Sequence, residues 1–216
     1  MLADLVNRSQ PLAPDARVLV LGGGYSGGHL TRLLRALGTS VRCSRRSLSS
    51  PGADLVFDST AGLIPTSGDL DGITHLLSTI PPTTEGHDPV LTHLGSQLKE
   101  QSLTWVGYLS TTGVYGDQQG RWVSEDDPAN PGQPRSQRRH ACEQAWLDSG
   151  LPVQILRLPG IYGPGRSVLD SCDVQPRNGH AVAPLRRRSH HGPHTALPRR
   201  REPGDTTSAT EHSTLR

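Results

Sequence analysis

The chain has 216 residues, a formal net charge of +2, only 4% aromatic residues and three cysteines. This length predicts one main domain with room for an appendage. No apolar stretch approaches the roughly 18 residues of a membrane span, and the widely spaced cysteines show no CxxC or other metal-ligand spacing. We therefore expect a cytoplasmic protein with reduced thiols, without a membrane segment and without a metal site.

The charge is unevenly distributed along the chain. Residues 1–170 carry 14 Lys and Arg against 16 Asp and Glu, whereas residues 171–216 carry 8 against 4. The nearly neutral part gives no electrostatic reason to expect binding to nucleic acid. Residues 1–14 lack the basic region and the apolar core of a signal peptide, and we expect them to form a flexible leader.

A glycine cluster follows the first apolar run of the chain. Residues 18–21 are predicted to form a buried strand, and the next six residues, GGGYSG, fit the pattern GxGxxG through Gly22, Gly24 and Gly27. Leucines at helical spacing over residues 30–37 then predict a helix. Strand, glycine turn and helix in this order are typical of a dinucleotide-binding unit.

Each part of this turn has an expected task. Gly22 permits the tight turn, Gly24 lets the backbone approach a pyrophosphate, and Gly27 allows close packing of helix and strand. Tyr25 and Ser26 lie in the first helical turn, where free N–H groups and the helix dipole attract phosphate. A glycine-rich turn that binds nothing is the alternative.

The second predicted strand, residues 40–43, is followed by basic residues where an acidic one selects NAD. Arg42 and Arg45 lie there, together with Arg46, and no acid is present. Arginine can pair with the 2′-phosphate of NADP through two hydrogen bonds. We therefore predict NADP, with NAD as the alternative cofactor and solvated loop charges as the alternative role of the arginines.

Four more strands are predicted, at residues 53–58, 75–80, 104–109 and 152–156. Helices are predicted from about residue 88 and over residues 136–148, with Ser136 as the N-cap. Strands that alternate with helices indicate an α/β fold, a doubly wound parallel Rossmann sheet over residues 15–169. Ligands bind beyond the carboxyl ends of such strands, which makes Ser78 and Thr79 candidates for cofactor contact. Asp58 lies either near the adenine edge or in a plain loop.

Two later segments resemble a known family. LSTTGVYG (109–116) and RLPGIYGPGR (157–166), with an acidic stretch at 124–128 between them, are similar to the extended short-chain dehydrogenase/reductase superfamily. The glycine pattern is one residue shorter than that family's usual form, which places the chain nearer its atypical branch. The resemblance implies an NAD(P)-dependent epimerase, dehydratase or reductase that acts on a small molecule such as a nucleotide sugar.

The resemblance also implies catalytic residues. A hydroxyl cooperates with a tyrosine and a lysine in this superfamily, and the hydroxyl corresponds to Thr111, with Thr112 as the second choice. The YxxxK motif is absent: Arg135 stands at the tyrosine position and Arg139 at the lysine position, where Arg139 can keep the ribose contact. Arg135 cannot act as a general acid near neutral pH, because its pKa exceeds about 12. The loop from Pro159 is expected to close over the nicotinamide half of the site.

The composition changes near residue 170. Residues 170–216 contain eight arginines, five histidines and five prolines without any periodicity, which predicts a disordered basic tail in place of the substrate lobe of the superfamily. This segment is either an arm that binds nucleic acid or another polyanion, or the product of a reading-frame shift, which we prefer. The sequence thus leaves three functions open: an NADP-dependent oxidoreductase or epimerase-like enzyme, a non-catalytic dinucleotide-binding protein, and a polyanion-binding protein.

Overall fold

Six parallel strands form one sheet in the computed structural model, which describes residues 2–166. The order across the sheet is β3-β2-β1-β4-β5-β6. The chain builds outward from β1 to β3, then crosses back to β4 on the other side of β1. The doubly wound parallel fold predicted from the sequence is therefore confirmed. The strands are β1 (Arg17–Leu21), β2 (Ser40–Arg45), β3 (Leu55–Val56), β4 (His75–Ser78), β5 (Trp105–Thr111) and β6 (Val153–Leu158).

Five α-helices and one short 3-10 helix accompany the sheet in the described residues. A helix, α1, lies within the segment predicted as a flexible leader. None of these helices is long and apolar enough to cross a membrane. The helices are α1 (Leu2–Arg8), α2 (Tyr25–Ala36), α3 (Ser67–Leu70), α4 (Pro89–Lys99) and α5 (Pro134–Leu147), and the 3-10 helix is Thr112–Tyr115.

Alternating residues of β1 reach two separate apolar clusters, one on each face of the sheet. Leu19 and Leu21 pack with residues of α4 and α5, including the fully buried Trp146. Val18 and Val20 pack on the opposite face with Leu34 of α2. A strand that is buried on both faces has to be apolar throughout, which is why the run from residue 18 to 21 has no polar residue.

Several element boundaries differ from those predicted. β3 contains two residues instead of six, because only Leu55 and Val56 pair with β2 at this edge of the sheet. β4 ends at Ser78, two residues earlier than expected. The last helix begins at Pro134 rather than beyond Ser136, since the fixed φ of proline suits the first helical position. The predicted basic tail, residues 170–216, lies outside the described residues.

Candidate functional site

Two cavities open at the carboxyl ends of the central strands, beside the point where the sheet order reverses between β1 and β4. This is where ligands bind in open α/β sheets. We call the first, of about 360 Å³, the glycine-turn cavity, and the second, of about 320 Å³, the arginine cavity. Thr79 lines both of them. The glycine-turn cavity is otherwise lined by residues 22–24, 44–46, 50, 57–60, 80 and 81, and the arginine cavity by residues 25, 26, 109–111, 135, 139, 158–161 and 166.

The turn between β1 and α2 is fixed by its neighbours in the sheet. The N–H of Gly22 donates to Ser44 Oγ at 2.9 Å, and the N–H of Gly23 donates to the Ser44 carbonyl at 2.7 Å. Gly22 has φ +97°, and a Cβ atom there would lie 2.5 Å from Thr79 Oγ1. A Cβ atom on Gly27 would overlap the Gly22 carbonyl oxygen. Both positions therefore require glycine.

The amino end of α2 faces the cavities without a cap of its own. Gly24 is the N-cap residue, it provides no side-chain hydrogen bond, and the first turn of α2 contains no acidic residue. A Cβ atom on Gly24 would meet nothing within 4 Å, so the backbone is open to an approaching group there. Tyr25 and Ser26 follow and line the arginine cavity. This turn can offer N–H groups and a positive dipole end to phosphate.

The two arginines predicted for the NADP phosphate are separated by the structure. Arg45 lines the glycine-turn cavity, and its buried Nε has no hydrogen-bond partner among the described residues. Arg42 lies on the other side of β2, where its guanidinium pairs with Asp69 at 3.8 Å and does not reach either cavity. Residues three apart on a strand point to opposite faces, so alternation along the strand already separates Arg42 from Arg45.

The far wall of the glycine-turn cavity contains Asp58 and Arg46. The hydroxyl of Thr60 donates to Asp58 at 2.6 Å and holds the pKa of that carboxyl below its usual value, with the charge of Arg46 acting in the same direction. Asp58 is therefore an anion at neutral pH on the side where an adenine edge is expected. Phe57 also contributes to the lining of this cavity, although it is 4% exposed and packs in the apolar core, and the sequence analysis missed it.

Ser78 and Thr79 at the end of β4 have different surroundings. Thr79 Oγ1 donates to the Gly22 carbonyl at 2.5 Å and lines both cavities. Ser78 is fully buried and lines neither cavity, and its hydroxyl has no partner in the described part of the chain. Of the two residues predicted here, Thr79 is the one in position to contact a ligand.

The two candidate hydroxyls after β5 also diverge. Thr111 lines the arginine cavity, and its Oγ1 accepts the N–H of Gly113 at 3.1 Å. Thr112 begins the 3-10 helix and faces another cavity, which also contains Tyr115 and Arg157. Thr111 is therefore the hydroxyl beside the loop that begins at Pro159, a loop that lines the arginine cavity as well.

Arg135 and Arg139, one turn apart on α5, both line the arginine cavity. Arg139 Nη1 donates to the hydroxyl of Tyr108 and to the carbonyl of Leu109, each at 3.1 Å, and more weakly to the carbonyl of Ile80 at 3.4 Å. These bonds fix the charge of Arg139 where β4 and β5 end. Burial raises the pKa of the Tyr108 phenol above its usual value, so this hydroxyl stays neutral.

A buried carboxylate supports this side of the site. Glu143 is fully buried on α5 and accepts hydrogen bonds from Ser110 Oγ and from Arg157, whose Nη2 lies 2.8 Å away. These bonds to Glu143 raise the pKa of Arg157 further above its usual value. The network joins β5, α5 and β6, and thereby holds the strand that carries Thr111 against the helix that carries Arg139.

Comparisons with known proteins agree with this geometry. No protein-family model matches the chain. Protein YeeZ of Escherichia coli strain K12 is 30% identical over 167 residues, which cover 69% of this chain and 60% of that protein. The solved structure of a conserved protein of unknown function from Silicibacter pomeroyi is 38% identical with a TM-score of 0.63. The match covers 72% of this chain and 56% of the Silicibacter protein.

Two other solved structures are similar to this chain. A protein from Methylobacillus flagellatus, assigned as an NAD-dependent epimerase/dehydratase, is 30% identical with a TM-score of 0.56 and covers 70% of this chain and 56% of its own. MoeE5, solved in complex with UDP-glucose and NAD, is 25% identical with a TM-score of 0.54 and covers 70% and 57%. The predicted resemblance is confirmed at the level of NAD-dependent epimerase/dehydratase proteins. The chain spans about 60% of the length of YeeZ.

The chain lacks the tyrosine and lysine pair that the resemblance implies. Arg135 and Arg139 occupy the cavity wall where those side chains are expected. Tyr115 is buried beneath the guanidinium of Arg157, 4.8 Å from its ring centroid, and Tyr162 is 66% exposed. Neither of these two tyrosines lines the arginine cavity. Tyr25 does line it, and its hydroxyl donates to the Pro164 carbonyl at 3.3 Å.

Proposed function

We propose that the chain binds a nicotinamide dinucleotide across the two cavities and prefers NADP(H) to NAD(H). The observation that carries the preference is the position of Arg45 on the wall of the glycine-turn cavity, where no ion pair with another described residue engages it. Its guanidinium can pair with a phosphate on the ribose through two N–H donors. Arg46 adds a second, exposed guanidinium to the lining of the same cavity.

The residues present fit such a cofactor. Gly22, Gly23 and Gly27 form a turn with no room for side chains, and Gly24 leaves the approach to the amino end of α2 open. The N–H groups there suit a pyrophosphate. Asp58 provides a carboxylate on the adenosine side. A nicotinamide dinucleotide supplies or accepts hydride when it is bound.

We infer chemistry of the epimerase/dehydratase or reductase kind on a small molecule, for which a nucleotide sugar is the expected class. Thr111 can hold the substrate oxygen through its hydroxyl, and Arg139 places a fixed positive charge beside it. Arg135 cannot donate a proton near neutral pH. Turnover is therefore expected to be slow compared with an enzyme that has a tyrosine there.

A non-catalytic dinucleotide-binding protein is the second candidate, and Arg135 at the tyrosine position favours it. Conversion of UDP-glucose or UDP-glucuronate by the chain with NADP⁺, followed by NMR of the sugar, separates the two, because a sugar hydroxyl can give hydride only to the oxidised cofactor. Steady conversion that stops in Thr111→Val but continues in Thr112→Val supports the enzyme. A cofactor that binds tightly without any conversion of the sugar supports the second candidate.

The cofactor proposal is tested by calorimetric titration of the full chain with NADPH and with NADH. Arg45→Gln should weaken NADPH binding by about 1.5–3 kcal/mol, the range for a hydrogen bond to a charged group, and leave NADH binding nearly unchanged. Arg42→Gln is the matched control, because Arg42 lies outside both cavities, and it should alter neither affinity. Equal affinities of the wild-type chain for the two cofactors would contradict the assignment.

A further inference from the structure

The arginine cavity has an unusual charge for a site that would hold a neutral sugar ring. Three guanidinium groups line it, from Arg135, Arg139 and Arg166. None of the other described residues on its wall is acidic. The nearest carboxylate behind the wall, Glu143, is fully buried and already paired with Arg157. The net charge that faces a ligand in this cavity is therefore strongly positive.

The three arginines differ in how firmly they are held. Arg139 is fixed by its bonds to Tyr108 and to two strand-end carbonyls. Arg166 lies over the ring of Tyr25, 5.4 Å from its centroid. Arg135 is exposed, and its side chain makes no hydrogen bond or ion pair with any residue in the range 2–166. Its charge is thus available to a ligand in the cavity.

The amino end of α5 adds to this positive potential. Gln133 is its N-cap residue and gives no side-chain hydrogen bond, and the first turn contains no acidic residue. The turn lies close to the end of β5, since a Cβ atom on Gly113 would be 2.9 Å from Ser136 Oγ. A helix start without a cap attracts anions, and here it coincides with Arg135.

We propose that Arg135 and Arg139 bind an anionic group of the substrate, a carboxylate or a phosphate, in the arginine cavity beside Thr111. This proposal rests on the proposed function, because it places the anion next to a bound dinucleotide. Arginine binds both groups through paired N–H donors. The substrate class is therefore a small molecule that carries a carboxylate or a phosphate close to the carbon that reacts.

The same chemistry has a second possible source, the pyrophosphate of the cofactor. Tyr25 and Ser26, in the first turn of α2, share this cavity with the arginines. Arg135 and Thr111 lie on the other wall, which is formed by α5 and the end of β5. If the anion belongs to the substrate, it should bind while the cofactor is present rather than compete with it.

The test is a calorimetric titration of the full chain, first saturated with NADPH, with malonate and separately with inorganic phosphate. We expect one of the two anions to bind to the saturated chain. Arg135→Gln should weaken this binding about tenfold or more, as loss of a charge-assisted hydrogen bond predicts, and Arg135→Lys should lose less. Arg138→Gln is the matched control, since Arg138 lies on the same helix beside Gly86 and outside the cavity, and it should change nothing.

Three results would overturn the proposal: no binding of either anion to the saturated chain, equal losses in the Arg135 and Arg138 variants, or binding that NADPH abolishes. The last would assign the arginines to the cofactor phosphates. The NADPH affinity measured in the same experiment reports on the proposed function separately. If NADPH fails to bind, anion binding to the free chain that is lost in Arg135→Gln still supports the anion site.

Discussion

The helices α2 to α5 fall into two pairs that differ in how their first turns are capped. Side chains cap the first turns of α3 and α4. Thr66 and Asp69 form a capping box at α3. At α4, Asp88 accepts the N–H groups of Val90 and Leu91 at 2.9 and 3.0 Å. α2 and α5 have neither a side-chain cap nor an acidic residue in the first turn. The two uncapped helices are the ones whose first turns line the arginine cavity.

This difference shows which helix starts leave backbone N–H donors available to a ligand. Backbone N–H groups at the start of a helix have no partner within the helix, and a protein that has no use for them closes them with a side chain. Asp88 does so and also accepts the indole N–H of Trp146 at 2.9 Å, which fixes α4 to α5. The starts of α2 and α5 remain available to anions.

The largest expected effect comes from adding a charged side-chain cap to the first turn of α2. Gly24 has φ −63° and open space around its Cβ position, so a side chain fits there. Gly24→Asp should weaken NADPH binding by about 100-fold or more, because like charges in contact cost several kcal/mol, and should leave thermal stability unchanged or slightly raised. Gly24→Asn is the control, with a cap of the same shape and no charge, and should weaken binding less. Calorimetry and thermal melting measure both quantities.

Removing the Asp88 cap of α4 should have a smaller effect, and it should change stability without changing NADPH affinity. Asp88→Ala removes the cap and leaves the N–H of Trp146 unpaired in the core, which should lower the free energy of unfolding by about 1–3 kcal/mol. Asp88→Asn keeps an acceptor for the helix and should lose less. Urea unfolding measures these changes, and NADPH affinity should stay constant in both variants. A loss of affinity in Asp88→Asn would show that the two pairs of helices are not independent.

The same residue gives a pH dependence. Burial raises the pKa of Asp88 above its usual value of 3.8 in spite of its hydrogen bonds. The folded chain therefore holds this proton to a higher pH than the unfolded chain, and stability falls as the pH rises from about 3.8 through the folded-state pKa. The stability advantage of the wild type over Asp88→Asn should shrink across that window in the same urea experiments.

The smallest expected effect comes from closing α5. Gln133→Asp and Gln133→Asn both supply a cap and should raise the free energy of unfolding by about 0.5–1 kcal/mol. Only the aspartate should also weaken malonate or phosphate binding in the arginine cavity, because it adds a negative charge to the helix start. Equal anion binding by the two variants would show that the start of α5 does not contribute to the anion site. Thermal melting and the anion titrations give the two measurements.

Local patterns determined much of this molecule. The apolar run before Gly22, the glycine spacing and the leucines of α2 form a local pattern, so the unit of strand, glycine turn and helix was predictable. The alternation of strands and helices likewise predicted the parallel sheet. The length of β3 was not predictable, because it depends on how many residues pair with the outer side of β2. Only two do so, Leu55 and Val56.

Only the tertiary structure decided which side chains meet in the cavities. Strand alternation already placed Arg42 and Arg45 on opposite faces, but the tertiary structure decided that Arg45 is the one beside the glycine turn. It also placed Thr111 and Thr112 at different cavities. It also brought Arg135 and Arg166 together from segments that are far apart in sequence. Such convergence depends on strand register and on the paths of loops, which are set by long-range packing. Short-range periodicity carries no information about either, and so the sequence by itself determined the strand, glycine turn and helix but not the charge of the cavity beside them.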